Sequence, residues 1–207
     1  QEDAEGFEEA IGLGADVNAK DTRGRTPLFY CPYYEWAQTL VRMGADVNAR
    51  DHEGQTPLFF CWSDECMQFL IENDADVNAR DHEAQTPLFF FRTVECAKLL
   101  LKNGGDVNAR DNAGSTPLFM GNQEIRDFPD CCELSMYEIL LENGADVNAR
   151  DNRGYLPIHC IDEYEIDLLE LFVKHGALLN VIDPDGYTPL TRAIQGQDID
   201  AVNFLLK

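Results

Sequence analysis

The sequence predicts an all-α fold, a solenoid of stacked helix-turn-helix units, and three observations support this fold class. A Thr-Pro-Leu type motif recurs along the 207 residues, a Gly-Ala-Asp-Val-Asn type motif recurs in register with it, and the two share one period. The first motif has offsets of 30, 30, 30, 40 and 32 residues, and it lies at Thr26, Thr56, Thr86, Thr116, Leu156 and Thr188. A period between about 20 and 50 residues is typical of solenoids, where each unit buries its apolar face against its neighbours.

Each unit begins with a tight turn. In the segment from Asp51 to Gly54, aspartate at the first position and glycine at the fourth suit a type I turn. The thirteen residues from Asn48 to Phe60 recur thirty positions later, from Asn78 to Phe90, with one change, Ala84 in place of Gly54. Since the last position of this turn does not strictly require a positive φ, we expect alanine to be tolerated there.

A short first helix follows the turn. Thr56 occupies the N-cap position, and Pro57 occupies the first helical position, where its missing N–H costs nothing. The apolar pair Leu58 and Phe59 then begins a buried helix.

The second helix is clearest in the segment VECAKLLLKNG. Apolar residues at helical spacing share one of its faces, namely Val94, Ala97, Leu100 and Leu101. The pair Asn103-Gly104 is typical of a helix that ends in the left-handed conformation. Each unit therefore reads turn, helix, turn, helix.

The repeats fill the chain. We expect residues 1–19 to form an N-terminal cap around a lone second helix, and repeats to begin near residues 21, 51, 81, 111, 151 and 183. No composition shift marks a linker, so the sequence predicts a single domain over residues 1–207.

These motifs resemble the ankyrin repeat, whose patterns match the chain from about Gly14 to Lys207. The resemblance implies an ankyrin-repeat solenoid with β-hairpin fingers, in which finger tips and a concave face of first helices bind a protein. Only His159 keeps the histidine of the family pattern, and phenylalanine replaces it at Phe29, Phe59, Phe89 and Phe119. Because family repeats have about 33 residues, the shorter units have lost roughly one helical turn, and we expect stubby first helices.

Charge narrows the range of partners. The chain has 38 acidic and 16 basic residues, a net charge of −22 and a pI near 4.3. Such a field repels phosphate backbones and speeds the encounter with basic proteins, so we expect no direct nucleic-acid binding and a basic protein partner. Solubility alone is the alternative reason for the acidity. No run of 18 apolar residues is present, so we expect no membrane insertion.

The seven cysteines match neither a disulfide scaffold nor a paired zinc motif. Three of them follow the start of the first-helix motif by four or five residues, which predicts small buried apolar side chains: Cys31, Cys61 and Cys160. Cys61 and Cys66 are the one local pair that could bridge. This usage favours a reducing, cytoplasmic location, whereas a chain that begins at Gln1 without an initiator methionine favours a processed or trimmed terminus and a periplasmic or exported location.

Catalytic, metal and cofactor sites are not predicted. His52 and His82 occupy equivalent positions of adjacent units, about 8–10 Å apart, which is too far for one metal ion. The acids from Asp162 to Asp167 suit a solvated helix start better than a catalytic pair. Steps such as Arg50-Asp51 and Arg80-Asp81 predict a ladder of surface ion pairs.

The ankyrin resemblance also indicates where a partner binds. The finger tips supply Arg23, Arg25, His52, Glu53, Gln55, His82, Glu83, Gln85, Asn112, Arg153 and Tyr155. The shortened junctions add bulky side chains that we expect to be exposed, namely Tyr33, Tyr34, Trp36, Trp62, Phe91 and Arg92. Aromatic residues and arginine are typical anchors of protein interfaces. Alternatively, several of these side chains cover the part of the hydrophobic core that the shortened first helix leaves open.

The 40-residue fourth repeat carries a second candidate. It inserts ten residues around MGNQEIRDFPDCCELS, and insertions in solenoids often lie on the binding face. Phe128, which lies between Asp127 and Pro129 and is followed by Asp130, would place an apolar knob in an acidic collar, suited to a cleft on a basic partner. Sequence drift in an exposed loop is the alternative.

We therefore expect a non-catalytic module that sequesters or inhibits a basic protein and is monomeric apart from that partner. In kind, the chain resembles the self-protection ankyrin proteins of predatory bacteria that inhibit peptidoglycan endopeptidases. That resemblance implies a cell-wall peptidoglycan hydrolase as the partner. A cytosolic adaptor or host-directed effector scaffold is one alternative, and an acidic nucleic-acid mimic is another.

Overall fold

The computed structural model of the protein describes residues 14–31, 33–61, 63–91, 93–122, 133–161 and 166–206. Contacts within the chain define two compact units, of which the first ends at Asp106 and the second begins at Val107. A single domain over residues 1–207 stays a prediction. The predicted N-terminal cap lies outside the described residues as far as residue 13.

The regular elements are helices. Within the described ranges there are seven α-helices, five short 3-10 helices and no β-strand, which confirms the all-α fold class. The α-helices are α1 (Tyr34–Arg42), α2 (Asp64–Glu72), α3 (Val94–Lys102), α4 (Glu133–Glu142), α5 (Ile166–Lys174), α6 (Pro189–Gln195) and α7 (Ile199–Leu205). The 3-10 helices are η1 (Pro27–Tyr30), η2 (Pro57–Phe60), η3 (Pro87–Phe89), η4 (Pro117–Asn122) and η5 (Pro157–Cys160).

The first helices are as short as the 30-residue period predicts. In five repeats the first helix is a 3-10 turn of three to six residues, and only the sixth repeat forms an α-helix there, α6. The threonines Thr26, Thr56, Thr86 and Thr188 lie at N-cap positions, yet the hydroxyl of Thr56 makes no cap hydrogen bond. Four such hydroxyls are buried without a partner among the described residues: Thr26, Thr56, Thr86 and Thr116.

Phenylalanine at the family's histidine position builds an aromatic ladder. The ring of Phe29 lies 5.7 Å from that of Phe60 in the next repeat, and the ring of Phe59 lies 5.5 Å from that of Phe90. In the fifth repeat the histidine is kept, and Nδ1 of His159 accepts a hydrogen bond from the Leu156 N–H at 3.1 Å. In the first unit, contacts between phenylalanine rings of adjacent repeats therefore take the place of the hydrogen bond that the histidine makes within its own repeat.

Two columns of leucines form the core of the first unit. Each column repeats every 30 residues, and no member is more than 3% exposed: Leu28, Leu58, Leu88, and Leu40, Leu70, Leu100. Helix α2 packs between α1 and α3, and η1 packs on η2. The burial of a leucine from every helix in each interface is what holds the repeats together.

The second unit has its own core. Helix α4 packs on α5, η4 packs on η5, and α7 contacts both α5 and α6. Leu140, Ile158, Leu169 and Phe172 are fully buried, and the ring of Tyr137 meets that of Phe172 edge-on at 5.6 Å.

The predicted fingers are hairpin turns. The Asp51 N–H donates to the Gln55 carbonyl at 3.0 Å, and the Gly54 N–H donates to the Asp51 carbonyl at 3.1 Å. The Asp51 carboxylate closes the turn by accepting from the N–H groups of Glu53 and Gln55 at 2.9 Å. The fourth turn position is left-handed, with φ of 78° at Gly54 and 60° at Ala84, so the expectation that it needs no positive φ was wrong.

The asparagine of the second motif connects adjacent repeats. The Asn48 amide donates to the carbonyl of Asp74 at 2.8 Å and accepts from the Asp76 N–H at 2.8 Å. The second unit uses the same connection, since Asn108 donates to the Gly144 carbonyl at 3.0 Å. The motif recurs because each copy satisfies backbone groups of the following copy.

Candidate protein-interaction surface

Backbone hydrogen bonds fix adjacent fingers side by side. The His52 N–H donates to the carbonyl of Arg23, and the His82 N–H donates to that of Glu53, both at 2.8 Å. In the second unit the Asn152 N–H makes the same bond to Ala113 at 2.8 Å. In the first two turns a histidine of the next finger covers the glycine, so that a Cβ on Gly24 would lie 2.6 Å from Cδ2 of His52.

Two of the predicted tip residues turn towards the neighbouring finger. Nε of Arg25 donates to Oδ2 of Asp51 at 2.9 Å, and the guanidinium lies 4.1 Å from the ring centre of Phe60. In the next finger, Nε2 of Gln55 donates to Oδ2 of Asp81 at 3.2 Å. Arg25 and Gln55 therefore stabilise the row of fingers.

The predicted pairing of Arg50 with Asp51 was wrong. The guanidinium of Arg50 donates to the carbonyls of Gly54 at 2.8 Å and Arg80 at 2.6 Å. Asp51 accepts from its own turn and from Arg25, which leaves its carboxylate buried. In the first unit, Arg50 thus donates to backbone carbonyls, and Asp51 is bound by an arginine of the preceding finger, Arg25.

Tyrosines at the first junction form the exposed part of the candidate surface. Tyr33 is 60% exposed and its ring meets that of Trp36 edge-on at 5.6 Å. Tyr34 is exposed on its outer side, its ring lies 5.3 Å from that of Phe69, and its hydroxyl accepts from Gln38 at 3.1 Å. Aromatic rings that pack against a neighbouring ring on one side and are exposed to solvent on the other are suited to be interface anchors.

Tyr30 belongs with this surface, although it was not among the residues predicted from the sequence. It is 54% exposed, at the position that holds Phe60 and Phe90 in the next two repeats. Its hydroxyl donates to Oδ2 of Asp21 at 2.6 Å, and this bond holds the pKa of Asp21 below its usual range. The signal in the sequence was a tyrosine where the next two repeats have phenylalanine. Tyr30, Tyr33 and Tyr34 are called the first-repeat tyrosines below.

The structure separates the other predicted residues into four groups. Exposed tip residues are Arg23, His52, Glu53, His82, Glu83, Asn112 and Arg153. Half-buried residues are Trp36, Gln85 and Tyr155. Phe91 is only 3% exposed, so the expectation that it is exposed was wrong, and it packs in the core instead. The fourth group lies outside the described residues and consists of Trp62, Arg92, Phe128 and Asp130. The central part of the fourth-repeat insertion, residues 123–132, also lies outside them.

A polar cluster marks the last finger of the second unit. The Tyr155 hydroxyl donates to Oδ2 of Asp185 at 2.8 Å, which raises the pKa of Tyr155 and lowers that of Asp185. Arg192 bridges Asp185 at 2.7 Å and also pairs with the buried Asp183. Burial raises the pKa of Asp183, but hydrogen bonds from the Tyr187 N–H and from Arg192 outweigh it and hold that pKa low.

The described ranges hold no group of three or more His, Cys, Asp or Glu side chains that could bind a metal ion. Five cysteines in these ranges are thiols, of which Cys66 and Cys96 are buried. Cys31, Cys61 and Cys160 are half-buried, so the prediction of fully buried side chains was wrong for them. None of the described helices has both the length and the apolar character that crossing a membrane requires.

Comparisons with known proteins agree with this geometry. A family model described as ankyrin repeats (three copies) matches residues 1–81, 62–151 and 130–207. Among solved structures, the ankyrin repeat domain of Bcl-3, described as a unique member of the IkappaB protein family, is similar at a TM-score of 0.74. It is 24% identical and covers 99% of this chain and 92% of that one, a likeness that shows the fold. No curated protein sequence matches the chain significantly.

Proposed function

This chain belongs to the ankyrin-repeat family, and from that premise we propose that it sequesters or inhibits a basic protein partner without catalysis of its own. Ankyrin repeats are protein-interaction modules. The observation that carries the proposal is the exposure of the first-repeat tyrosines Tyr30, Tyr33 and Tyr34 on a chain with a net charge of −22.

Charge supports a basic partner. The chain has 16 basic residues against 38 acidic ones, and one of the basic residues, Arg25, is already paired with the carboxylate of Asp51. Exposed carboxylates recur every 30 residues at the start of the second helices, at Glu35, Glu65 and Glu95. Lysine and arginine side chains of a partner can lie on tyrosine faces while these carboxylates attract them.

We propose a peptidoglycan hydrolase, in particular an endopeptidase, as the partner. Enzymes that act on anionic cell walls are often basic, and covering their cleft would protect the producing cell. The proposal includes a periplasmic or exported location, because such an enzyme works outside the cytoplasm. The resemblance in kind to self-protection ankyrin proteins supports this choice of partner.

The test begins with capture and ends with inhibition. The full chain, immobilised, is exposed to cell-envelope extract at low and at high salt, and the bound proteins are identified by mass spectrometry. We expect basic peptidoglycan hydrolases that are released by salt, since screening weakens exposed charge pairs. Each captured enzyme is then assayed for peptidoglycan cleavage with and without the chain, and its activity should fall.

A matched pair of variants locates the surface. Tyr33→Ala should weaken binding by about tenfold or more, as an interface anchor does. Met43→Ala removes another exposed apolar side chain, at the end of α1, and should leave affinity unchanged. Salt-insensitive capture of acidic or neutral proteins, including adaptor partners, or displacement of a DNA-binding protein from DNA, would contradict the proposal.

A further inference from the structure

The sixth repeat exposes apolar side chains on both of its helices. Ile199 at the start of α7 is 73% exposed, and Leu206, directly after the end of α7, is 68% exposed. These two residues lie seven positions apart, so they share one helix face with Val202, which is half-buried. Helix α6 packs on α7 and adds Ile194, which is also exposed. One face of this helical hairpin is therefore apolar and open to solvent.

Equivalent positions in the first unit contact the next repeat. Ile199 aligns with Tyr34 and Asp64, each of which is the first residue of its helix. The ring of Tyr34 lies 5.3 Å from that of Phe69 in the next repeat, and Oδ1 of Asp64 accepts from Oγ1 of Thr93 in the repeat after it, at 3.2 Å. Ile199 thus lies on the side of its helix where the repeats of the first unit receive their neighbour.

The last finger has an apolar side chain where other fingers have a polar link. In three repeats a basic side chain donates to the backbone carbonyl of the equivalent residue in the next repeat: Lys20 to Arg50 at 2.9 Å, Arg50 to Arg80 at 2.6 Å and Arg110 to Arg150 at 2.7 Å. The sixth repeat has Ile182 at this position, and its side chain is exposed. It keeps the asparagine of the second motif, Asn180, but lacks the cation that would link it to a further repeat of the same kind.

Charged groups near this face are engaged or point elsewhere. Oδ1 of Asp198 caps α7 by accepting from the Ala201 N–H at 3.0 Å, and Arg192 is paired with two aspartates of the last finger. Asp200 lies about 100° around the helix from Ile199, because an α-helix has 3.6 residues per turn. A basic segment would find no free carboxylate on the apolar face itself, so this face suits an apolar occupant.

We propose that this end face binds the end face of a second copy of the chain, where the end face consists of Ile182, Ile194, Ile199, Val202 and Leu206. The occupant must present an apolar helix face, and the α6–α7 hairpin of another copy presents one of the same extent. The contact continues the packing of repeat on repeat, with apolar side chains in place of the basic links. Because a surface that binds itself is used up in the contact, the assembly closes at two copies. The proposal replaces the monomer expected from the sequence and does not depend on which protein the first-repeat tyrosines bind.

Sedimentation velocity of the full chain at rising concentration tests the proposal. We expect a reversible change from 23.4 kDa to twice that mass, without larger species. Added salt should favour the pair, because each copy has a net charge of −22 and screening weakens the repulsion between copies. Salt has the opposite effect on the capture of a basic partner, so the two associations are distinguished in one experiment and the failure of either leaves the other standing.

Two variants add the same charge at different places. Ile199→Asp puts a carboxylate on the end face, at a helix start that tolerates an acid, and should raise the dissociation constant of the pair about tenfold or more. Since the Ile199 side chain is mostly exposed, its replacement removes little packing within the chain. Met43→Asp adds the same charge at another exposed apolar position, the end of α1, and should leave that constant unchanged. A single species of 23.4 kDa in high salt at every concentration up to about 1 mM, oligomers of more than two copies, or equal effects of the two substitutions would overturn the proposal.

Discussion

Replacing Gly54 by alanine probes how the fingers are held together. Gly54 has a φ of 78°, and a Cβ on it would lie 2.8 Å from Cδ2 and 3.3 Å from the backbone nitrogen of His82. The backbone of His82 cannot simply withdraw, because its N–H donates to the Glu53 carbonyl at 2.8 Å. The substitution therefore adds a strained backbone and a steric contact at once.

The two contributions have different sizes. An L-residue in the left-handed region costs about 1–2 kcal/mol, and alanine recovers about 0.4–1 kcal/mol because its unfolded chain has less entropy than that of glycine. Overpacking costs about 1–3 kcal/mol, and rotation of the His82 ring keeps it near the lower end. We expect Gly54→Ala to reduce the free energy of unfolding by about 2 kcal/mol.

Equilibrium urea unfolding, followed by circular dichroism, measures this loss, and a double-mutant cycle with His82→Ala divides it. Without the ring, Gly54→Ala should cost about 1 kcal/mol less, and this difference is the coupling energy. The reverse control is Ala84→Gly, which relieves the backbone strain at φ of 60° and should raise stability by about 0.5 kcal/mol. A coupling energy near zero, or a loss of stability in Ala84→Gly, would refute this reasoning.

Three further predictions concern polar side chains. Thr56→Val should raise the free energy of unfolding by about 1 kcal/mol, because the buried hydroxyl has no partner among the described residues. Thr188→Val should lower it by about 1 kcal/mol, because that hydroxyl accepts from the Thr191 N–H; equal changes in urea unfolding would contradict the contrast. Burial lowers the pKa of His159 from 6.5, so its contribution is complete above that pH and is lost as the pH falls below it. As the pH falls, the free energy of unfolding of the wild type should therefore decrease relative to that of His159→Phe, by at most about 1.4 kcal/mol per pH unit. A difference that does not depend on pH would contradict this. Arg25→Ala should cost about 1 kcal/mol more than Arg25→Gln, because glutamine at the equivalent position of the next finger bonds the neighbouring aspartate; equal losses in thermal or urea unfolding would exclude that role.

Local features of the sequence were enough to place the elements. Helix α3 spans Val94–Lys102 as its apolar spacing predicts, and the chain turns at Asn103 and Gly104, where φ reaches 87°. The loss of one helical turn predicted short first helices, and in five repeats the structure has 3-10 turns there. Such features depend on residues a few positions apart, which a repeat displays several times.

The errors on the arginines share one cause, a partner that lies about one repeat away. Arg50 bonds a carbonyl 30 residues later rather than the adjacent aspartate, and Arg25 bonds Asp51, 26 residues away. Phe91 is buried although the shortened junction predicted exposure. Of the candidate surface, the exposed tips and Tyr33 were predictable, whereas the inward turn of Arg25 and the exposure of Tyr30 were not.

The sequence by itself determined the period, the helix positions and the acidic character of this protein, because turn chemistry, helical spacing and charge belong to the residues wherever they lie. Only the tertiary structure decided which side chains hold neighbouring repeats together and which stay available to a partner. The physical reason is that the apolar face of one repeat is shielded from water only when the next repeat is stacked on it. A side chain such as Arg25 or Asn48 then bonds whichever polar group the neighbour places within reach, and that choice is made in space rather than along the chain.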